Sequence, residues 1–324
     1  MISKNGWIIK IQTMKNITKL LLLITFSAAA QTNPEIAKSA IKIEMLFPEG
    51  KTKALILSYD DGTKQDRQLV KLMNKYHLVG TFHLNYNKLG TNNYFDYLNK
   101  AEIKDLYKGH EVSVHTANHP NLPDISKIDV VYEVVEDRRE LERLMGYPVR
   151  GMAYPFGNTN DAVIEAMKGL GIEYARTVGD TYNFEIPTDY LRWCRTMHQF
   201  AKAYWEPNQP EKDKKELELF YKTIDHFLQT KELAVLDIWG HSWEMGTDQN
   251  KWDETEKFFK LLSNNEAVYY TKQIDLVDYI NAFRNLKFSV NKDIVVNTSA
   301  INVFIKINNK NFNVKAGTSM NLLY

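Results

Sequence analysis

The sequence predicts an α/β protein: a parallel sheet or closed barrel with helices outside, followed by a small all-β appendage. Short apolar runs alternate with amphipathic segments about seven times between residues 53 and 286, the pattern of repeated strand-helix units. The 324 residues, 44% hydrophobic and 25% charged, suffice for one large core and a minor addition. From about Phe288 the composition shifts to Val, Ile, Asn and Lys with period-two alternation, the signature of half-buried strands.

Along the chain, "KALILSY" (53–59) is followed by the helical "QDRQLVKLMNKY" (65–76), and "GTFHLN" (80–85) by "KAEIKDLYKG" (100–109). Next come "EVSVHT" (111–116) with "DVVYEVVEDRRELERLM" (129–145), and "RGMAYP" (150–155) with "DAVIEAMKGLG" (161–171). The strand "IEYART" (172–177) is followed, after an irregular stretch, by the helical "KKELELFYKTIDHFLQT" (214–230). "LAVLDIWG" (233–240), "DETEKFFKLLSN" (253–264), "AVYY" (267–270) and "DLVDYINAFRNL" (275–286) complete the alternation. Ser126 followed by Asp129 resembles a capping box, and Gly109, Gly146 and Gly171 sit where helices should stop. Residues 177–210 break the rhythm, with Gly179, Pro187, Pro207 and Pro210 among many aromatics, including Phe200, Tyr204 and Trp205. A long aromatic-rich loop in a compact domain reads as functional rather than disordered.

At the N-terminus, Lys15 and Lys19 precede the short apolar run "LLLLITFSAAA" (20–30), which ends in small residues: the form of an export signal. Met14 starts such a signal better than Met1, and the mature chain is expected to begin near Gln31. The run is shorter than the roughly 20 residues that span a bilayer, so no permanent membrane anchor is predicted. The expected partition is 1–30 export signal, 31–286 main α/β domain and 287–324 β appendage, placed in the periplasm or outside the cell. Cys194 is the only cysteine, which rules out an internal disulfide. With 41 basic against 40 acidic side chains, no net field argues for nucleic acid or an anionic membrane as partner. A weakly charged or neutral ligand is expected.

Four clusters fall at strand ends, where parallel α/β architectures build their sites. Asp60 and Asp61 stand side by side before Gly62; strand alternation would turn them to opposite faces. "HTANH" places His115 and His119 four apart, a spacing that suits two imidazoles on one turn, joined by a carboxylate from elsewhere, around a divalent ion. "AYPFG" (153–157) ends a strand in a Pro turn, and "WGHSWE" (239–244) puts His241 at the end of a late strand. Singly, each has a bland reading: a solvated turn, structural histidines, a common turn, a packed histidine. Their order and shared position favour chemistry.

Together, "SYDDG", "HTANH", "AYPFG" and "IWGH" resemble the polysaccharide deacetylases of the NodB-homology type, carbohydrate esterase family 4, over residues 53–286. The resemblance implies a distorted (β/α) barrel of about seven strands, a divalent metal, most often Zn2+, and removal of acetyl groups from an N- or O-acetylated glycan. Carried over by position, it implies Asp61, His115 and His119 as metal ligands, Asp60 as general base and His241 as general acid. The backbone N–H of Phe156 would bind the oxyanion and Tyr154 would line the site; Trp239 joins them as an expected substrate-binding residue. Family members commonly carry an Arg two residues before the Pro of the third motif, where this chain has Ala153. Arg176 is the expected replacement, ahead of Arg192 and Arg195, with Arg150 poorly placed. The family's Asp-containing fourth motif has no counterpart, although "YLRWCRTMH" (190–198) occupies its place, so sequence leaves the partner of His241 unassigned. Other readings of the same residues are a glycan-binding barrel without turnover and a hydrolase of a small non-sugar amide.

Overall fold

The structure is a computed structural model and describes residues 41–199 and 209–322. The expected export signal, with Met1, Met14, Lys15 and Lys19, and the loop aromatics Phe200, Tyr204 and Trp205 lie outside the described residues. Among the described residues no helix is long and apolar enough to cross a membrane.

The core is one parallel sheet wrapped by helices. Its strands and helices run β2 (Lys53–Asp61), α1 (Asp66–Lys75), β3 (Thr81–Leu84), α2 (Ile103–Leu106), β4 (Glu111–Val114) and α3 (Lys127–Met145). They continue through β5 (Gly151–Ala153), α4 (Asp161–Gly169), β6 (Tyr174–Asp180), β7 (Trp193–Arg195), β8 (Met197–His198) and α5 (Pro210–Gln229). The last are β9 (Ala234–His241), α6 (Gln249–Leu262), β10 (Val268–Tyr270) and α7 (Gln273–Arg284). The strand order is β7-β6-β5-β4-β3-β2-β9-β8, with β10 also on β2. β10 pairs the first half of β2 (Lys53 to Leu55) and β3 the second (Ser58 to Asp61), so the two share one flank of the longest strand.

The two ends of this order, β7 and β8, are separated in sequence by Thr196 alone, so the sheet must roll until its edges meet. Thr196 fixes the seam, its N–H donating to the carbonyl of Asp237 on β9 at 3.0 Å. The closing strands lie in the stretch that sequence read as irregular. Three and two residues are too few to show a period, and their closure depends on strands distant in sequence.

Residues that pair across parallel strands share a face of the sheet. Asp60 is level with His83 on one side and His241 on the other, Ser58 with Thr81, Thr81 with Glu111, and Ala153 with Arg176. That face is therefore polar toward the end of β2, with Ala54 and Ile56 before it in a second apolar cluster with Tyr174 and Trp193, while Leu55, Leu57 and Tyr59 belong to the main apolar core with helix residues such as Leu69, Met73 and Phe258. Helix ends follow local chemistry: Ser126 Oγ accepts from Asp129 N–H, and Gly146 closes α3 at φ 80°.

The C-terminal residues form antiparallel strands β11 (Lys287–Phe288), β12 (Ile294–Val296), β13 (Val303–Ile307), β14 (Lys310–Val314) and β15 (Ser319–Asn321). Their sheets run β11-β12-β15 and β1-β13-β14, where β1 (Ile43–Leu46) comes from the other end of the chain. Val303, Ile305, Ile307 and Val314 share an apolar cluster with Ala282 and Leu286 at the end of α7 and beyond it. Tyr279 Oη donates to the carbonyl of Leu46 at 2.5 Å and accepts from the N–H of Phe304 at 2.9 Å, tying α7, β1 and β13 together.

Candidate active site

β2 delivers both aspartates to the same groove. Asp61 adopts φ 80°, a left-handed conformation rare outside glycine, and this breaks the alternation that would have turned its side chain away. Asp60 Oδ2 lies 4.0 Å and Asp61 Oδ1 3.7 Å from the same atom, His115 Nε2. The adjacent acids thus converge, where strand geometry predicted divergence.

His115 follows β4 and is buried. Its Nδ1 lies 2.8 Å from the carbonyl of Ala153, which can only accept, so Nδ1 carries the proton and Nε2 offers a lone pair to the groove. Its backbone N–H donates to Asp137 Oδ2 at 2.9 Å, and Asn85 Nδ2 donates to the carbonyls of His115 and Thr116. The four-residue spacing to His119 is not a helical turn. Thr116 (φ 68°) and His119 (φ 64°) are both left-handed, and Thr116 Oγ1 accepts from the His119 N–H at 3.0 Å. The loop brings His119 Nε2 within 3.8 Å of Asp61 Oδ1.

Asp61, His115 and His119 each turn one ligand atom inward, all within 4.8 Å of one another. Burial pushes both imidazoles down, His119 to about 3, so they are neutral and able to coordinate. Burial pushes Asp61 up, but the charge of nearby His241 chiefly outweighs it and its pKa is lowered. A carboxylate with two neutral imidazoles fits a divalent cation and leaves positions open for water and substrate.

Asp60 faces Arg176 from β6, whose Nη2 donates to both carboxylate oxygens, both residues being buried. Burial alone would push Asp60 up; the guanidinium more than offsets this and holds the carboxyl well below the usual range. The other arginines are committed elsewhere. Arg150 pairs with Glu173 and Asp278, Arg192 with Asp161 and Asp189, and Arg195 with Asp180 and the carbonyl of Thr177.

His241 Nε2 lies 4.0 Å from Asp60 Oδ2, and its Nδ1 is 2.5 Å from Glu244 Oε1. The same oxygen lies 2.9 Å from His198 Nε2. Burial pushes His241 down, but the bond and charge of Glu244, helped by both aspartates, hold it up at about 9. Glu244 is brought down to about 2: burial opposes, and the two histidines win. Sequence reasoning missed Glu244, although it stands three residues after His241 in the run singled out. It missed His198 too, the last residue of the stretch in place of the absent motif.

Tyr154 is buried and donates its Oη to the carbonyl of Leu191 at 3.0 Å. Phe156 sits at φ 58°, 58% exposed, its ring 4.7 Å from that of His119. Gly157 is required beside it, since a Cβ there would lie 2.2 Å from Val178. Trp239, only 3% exposed, lies against the guanidiniums of Arg176 at 4.8 Å and Arg195 at 4.2 Å. Trp243 donates its Nε1 to Asp61 Oδ2 at 2.7 Å and stacks on Phe95 at 4.7 Å. Tyr154, Phe156, Trp239, Trp243 and Phe95 line a cavity of about 1020 Å³ together with Lys88, Tyr94 and Tyr97. Neither Lys88 nor Phe95 stood out in the sequence, because the loop after β3 carries no motif.

Residues 48–175 match the family model described as polysaccharide deacetylase, a span that holds Asp60, Asp61, His115, His119, Tyr154 and Phe156. A chitin deacetylase from a Pestalotiopsis species is 25% identical over 45% of this chain and 49% of its own length. A poly-beta-1,6-N-acetyl-D-glucosamine N-deacetylase from Staphylococcus epidermidis is 27% identical over 36% of this chain and 46% of its own. The chain thus spans about half the length of these curated relatives. A crystal structure from Mycobacterium smegmatis, assigned as a polysaccharide deacetylase, superposes with a TM-score of 0.57 at 13% identity, covering 74% of this chain and 94% of the other. That likeness is one of fold.

Proposed function

We propose, from the premise that this chain carries a polysaccharide deacetylase domain of the NodB-homology type, that it hydrolyses acetyl groups from an acetylated glycan with a divalent cation at Asp61, His115 and His119. The single observation that carries the reading is the disposition of two charged groups in one groove. Asp60, kept anionic by Arg176, and His241, kept cationic by Glu244, stand 4.0 Å apart beside the three ligand atoms. A base and an acid of opposed pKa at one site are what acyl hydrolysis requires.

A cation such as Zn2+ held there would polarise the acetyl carbonyl and acidify an adjacent water. Asp60, kept anionic and aimed by Arg176, takes a proton from the attacking water. The N–H of Phe156, presented by its left-handed turn, donates to the oxygen that gains charge. His241 gives its proton to the departing amine or alcohol, with Glu244 holding the ring by Nδ1 so that Nε2 faces the groove. Tyr154 and Trp239 bound the acyl end, and Phe95, Phe156 and Trp243 offer flat faces to sugar rings.

The relatives named for chitin and poly-N-acetylglucosamine support an N-acetylhexosamine polymer as substrate. The test is acetate release by the metal-loaded protein from chitooligosaccharides, peptidoglycan fragments and acetylated xylan. Release from at least one, lost in Asp60→Asn, is expected. Tight glycan binding with no acetate from any would favour a binding barrel without turnover. The export signal stays part of the proposal, since such polymers lie outside the cytoplasm.

A further inference from the structure

We infer that Lys88 makes the groove selective for a glycan carrying a carboxylate on or beside the acetylated sugar. This rests on the deacetylase reading and extends it to substrate class. Lys88 lies in the loop after β3 and lines the groove with Asp61 and His119. Its backbone is fixed in a turn, its N–H donating to the carbonyl of Asn85 at 3.0 Å and its own carbonyl accepting from Thr91 at 3.0 Å. Its ammonium lies 5.8 Å from the centre of the Tyr97 ring, which also lines the groove.

The charges of the groove otherwise cancel in pairs. Asp60 is matched by Arg176 and His241 by Glu244. Asp61 would be matched, with positive charge to spare, by the cation it fits. Lys88 forms no ion pair among the described residues, yet it is half-buried and burial lowers its pKa against the pull of Asp61 and Glu133. Partial desolvation of a lysine with no carboxylate in ion-pair contact costs free energy that a bound anion would return. Lys88 lines the same groove as Asp61 and His119, so the anion it receives belongs to the acetylated sugar or its immediate neighbour. Two sources fit one chemistry: a lactyl ether on the hexosamine, or a uronate at C6.

The test uses the full chain with metal, and substrates that differ in the carboxylate alone. One pair is a peptide-free tetramer alternating N-acetylglucosamine and N-acetylmuramic acid and its methyl ester. The other is an oligomer of N-acetylglucosamine and a hexuronate, with its methyl ester. The expected result is a kcat/KM for one acid about tenfold or more above its ester, the scale of a charge-assisted hydrogen bond. Lys88→Gln should bring that ratio near one, and Lys88→Arg should largely restore it. The pair that responds identifies the source. A ratio near one for both pairs in the unaltered protein, or one that survives in Lys88→Gln, overturns the inference. Calorimetric affinities for the same pairs separate the two readings. An acid preference that depends on Lys88 without acetate release would support Lys88 and remove the deacetylase reading, whereas acetate release with equal affinities would do the reverse.

Discussion

Arg176 grips Asp60 across the lumen of the barrel, from a strand four places away in the sheet, and its Cα partner on the intervening strand β5 is Ala153. In the deacetylases that the chain resembles, the usual arginine position is the one Ala153 holds; here the guanidinium comes from Arg176 on the neighbouring strand β6.

Removing that arginine leaves a buried carboxylate without its counter-charge. Arg176→Ala should lower the stability by about 3 to 5 kcal/mol and turnover by roughly 10²-fold, while bound metal stays stoichiometric. Arg176→Lys should recover part of the stability and less of the turnover, since one ammonium cannot hold Asp60 while also donating to the carbonyl of Thr177 as the guanidinium does. Thermal unfolding, metal content and acetate release on the same preparations check this. Loss of metal in Arg176→Lys would place the arginine in the metal site instead.

The two aspartates should separate. Asp61→Asn should lose both metal and activity, because Asp61 is the one anion among the three ligands. Asp60→Asn should keep the metal and lose turnover by roughly 10²-fold or more, as expected for a removed base. Metal retained in Asp61→Asn and lost in Asp60→Asn would reverse the roles.

Each histidine ligand should matter alone. His115→Ala or His119→Ala should cut metal content and abolish acetate release, since two ligands hold a dication poorly. His115→Ala should also cost more stability, because that ring is buried and bonded to Ala153 while His119 is partly open. Full metal content in both variants would refute the ligand set.

The alkaline limb of the pH profile should report His241. A pKa raised to about 9 means the acid form persists at neutral pH and is lost as pH rises through that value, so activity should fall on that limb. Glu244→Gln removes the main raising influence, and with only the two aspartates left to oppose burial the limb should move to lower pH. An unmoved limb would show that another group titrates there.

Ending the chain at Leu286 should test how far residues 287–324 can be separated. Their removal leaves β1 without β13 and uncovers Ala282 and Leu286, so a lower melting temperature is expected even if acetate release from a small substrate survives. An unchanged melting temperature would show that the shared cluster contributes little.

The sequence by itself determined the α/β class, the strand ends that carry Asp60, Asp61, His115, His119 and His241, and the short list containing Arg176. Periodicity and motif order are local properties, readable wherever an element is long enough to show its period. Tertiary structure alone decided the rest. It chose Arg176 because only lateral register and barrel closure say which side chains meet across a lumen. It supplied Glu244 and His198, whose shared hydrogen bonding with His241 joins β8 to the turn after β9. It turned Asp61 toward Asp60 through a left-handed backbone that no propensity reveals. And it placed Lys88 in the groove of a chain whose net charge is only +1, because total charge says nothing of where a single ammonium comes to rest.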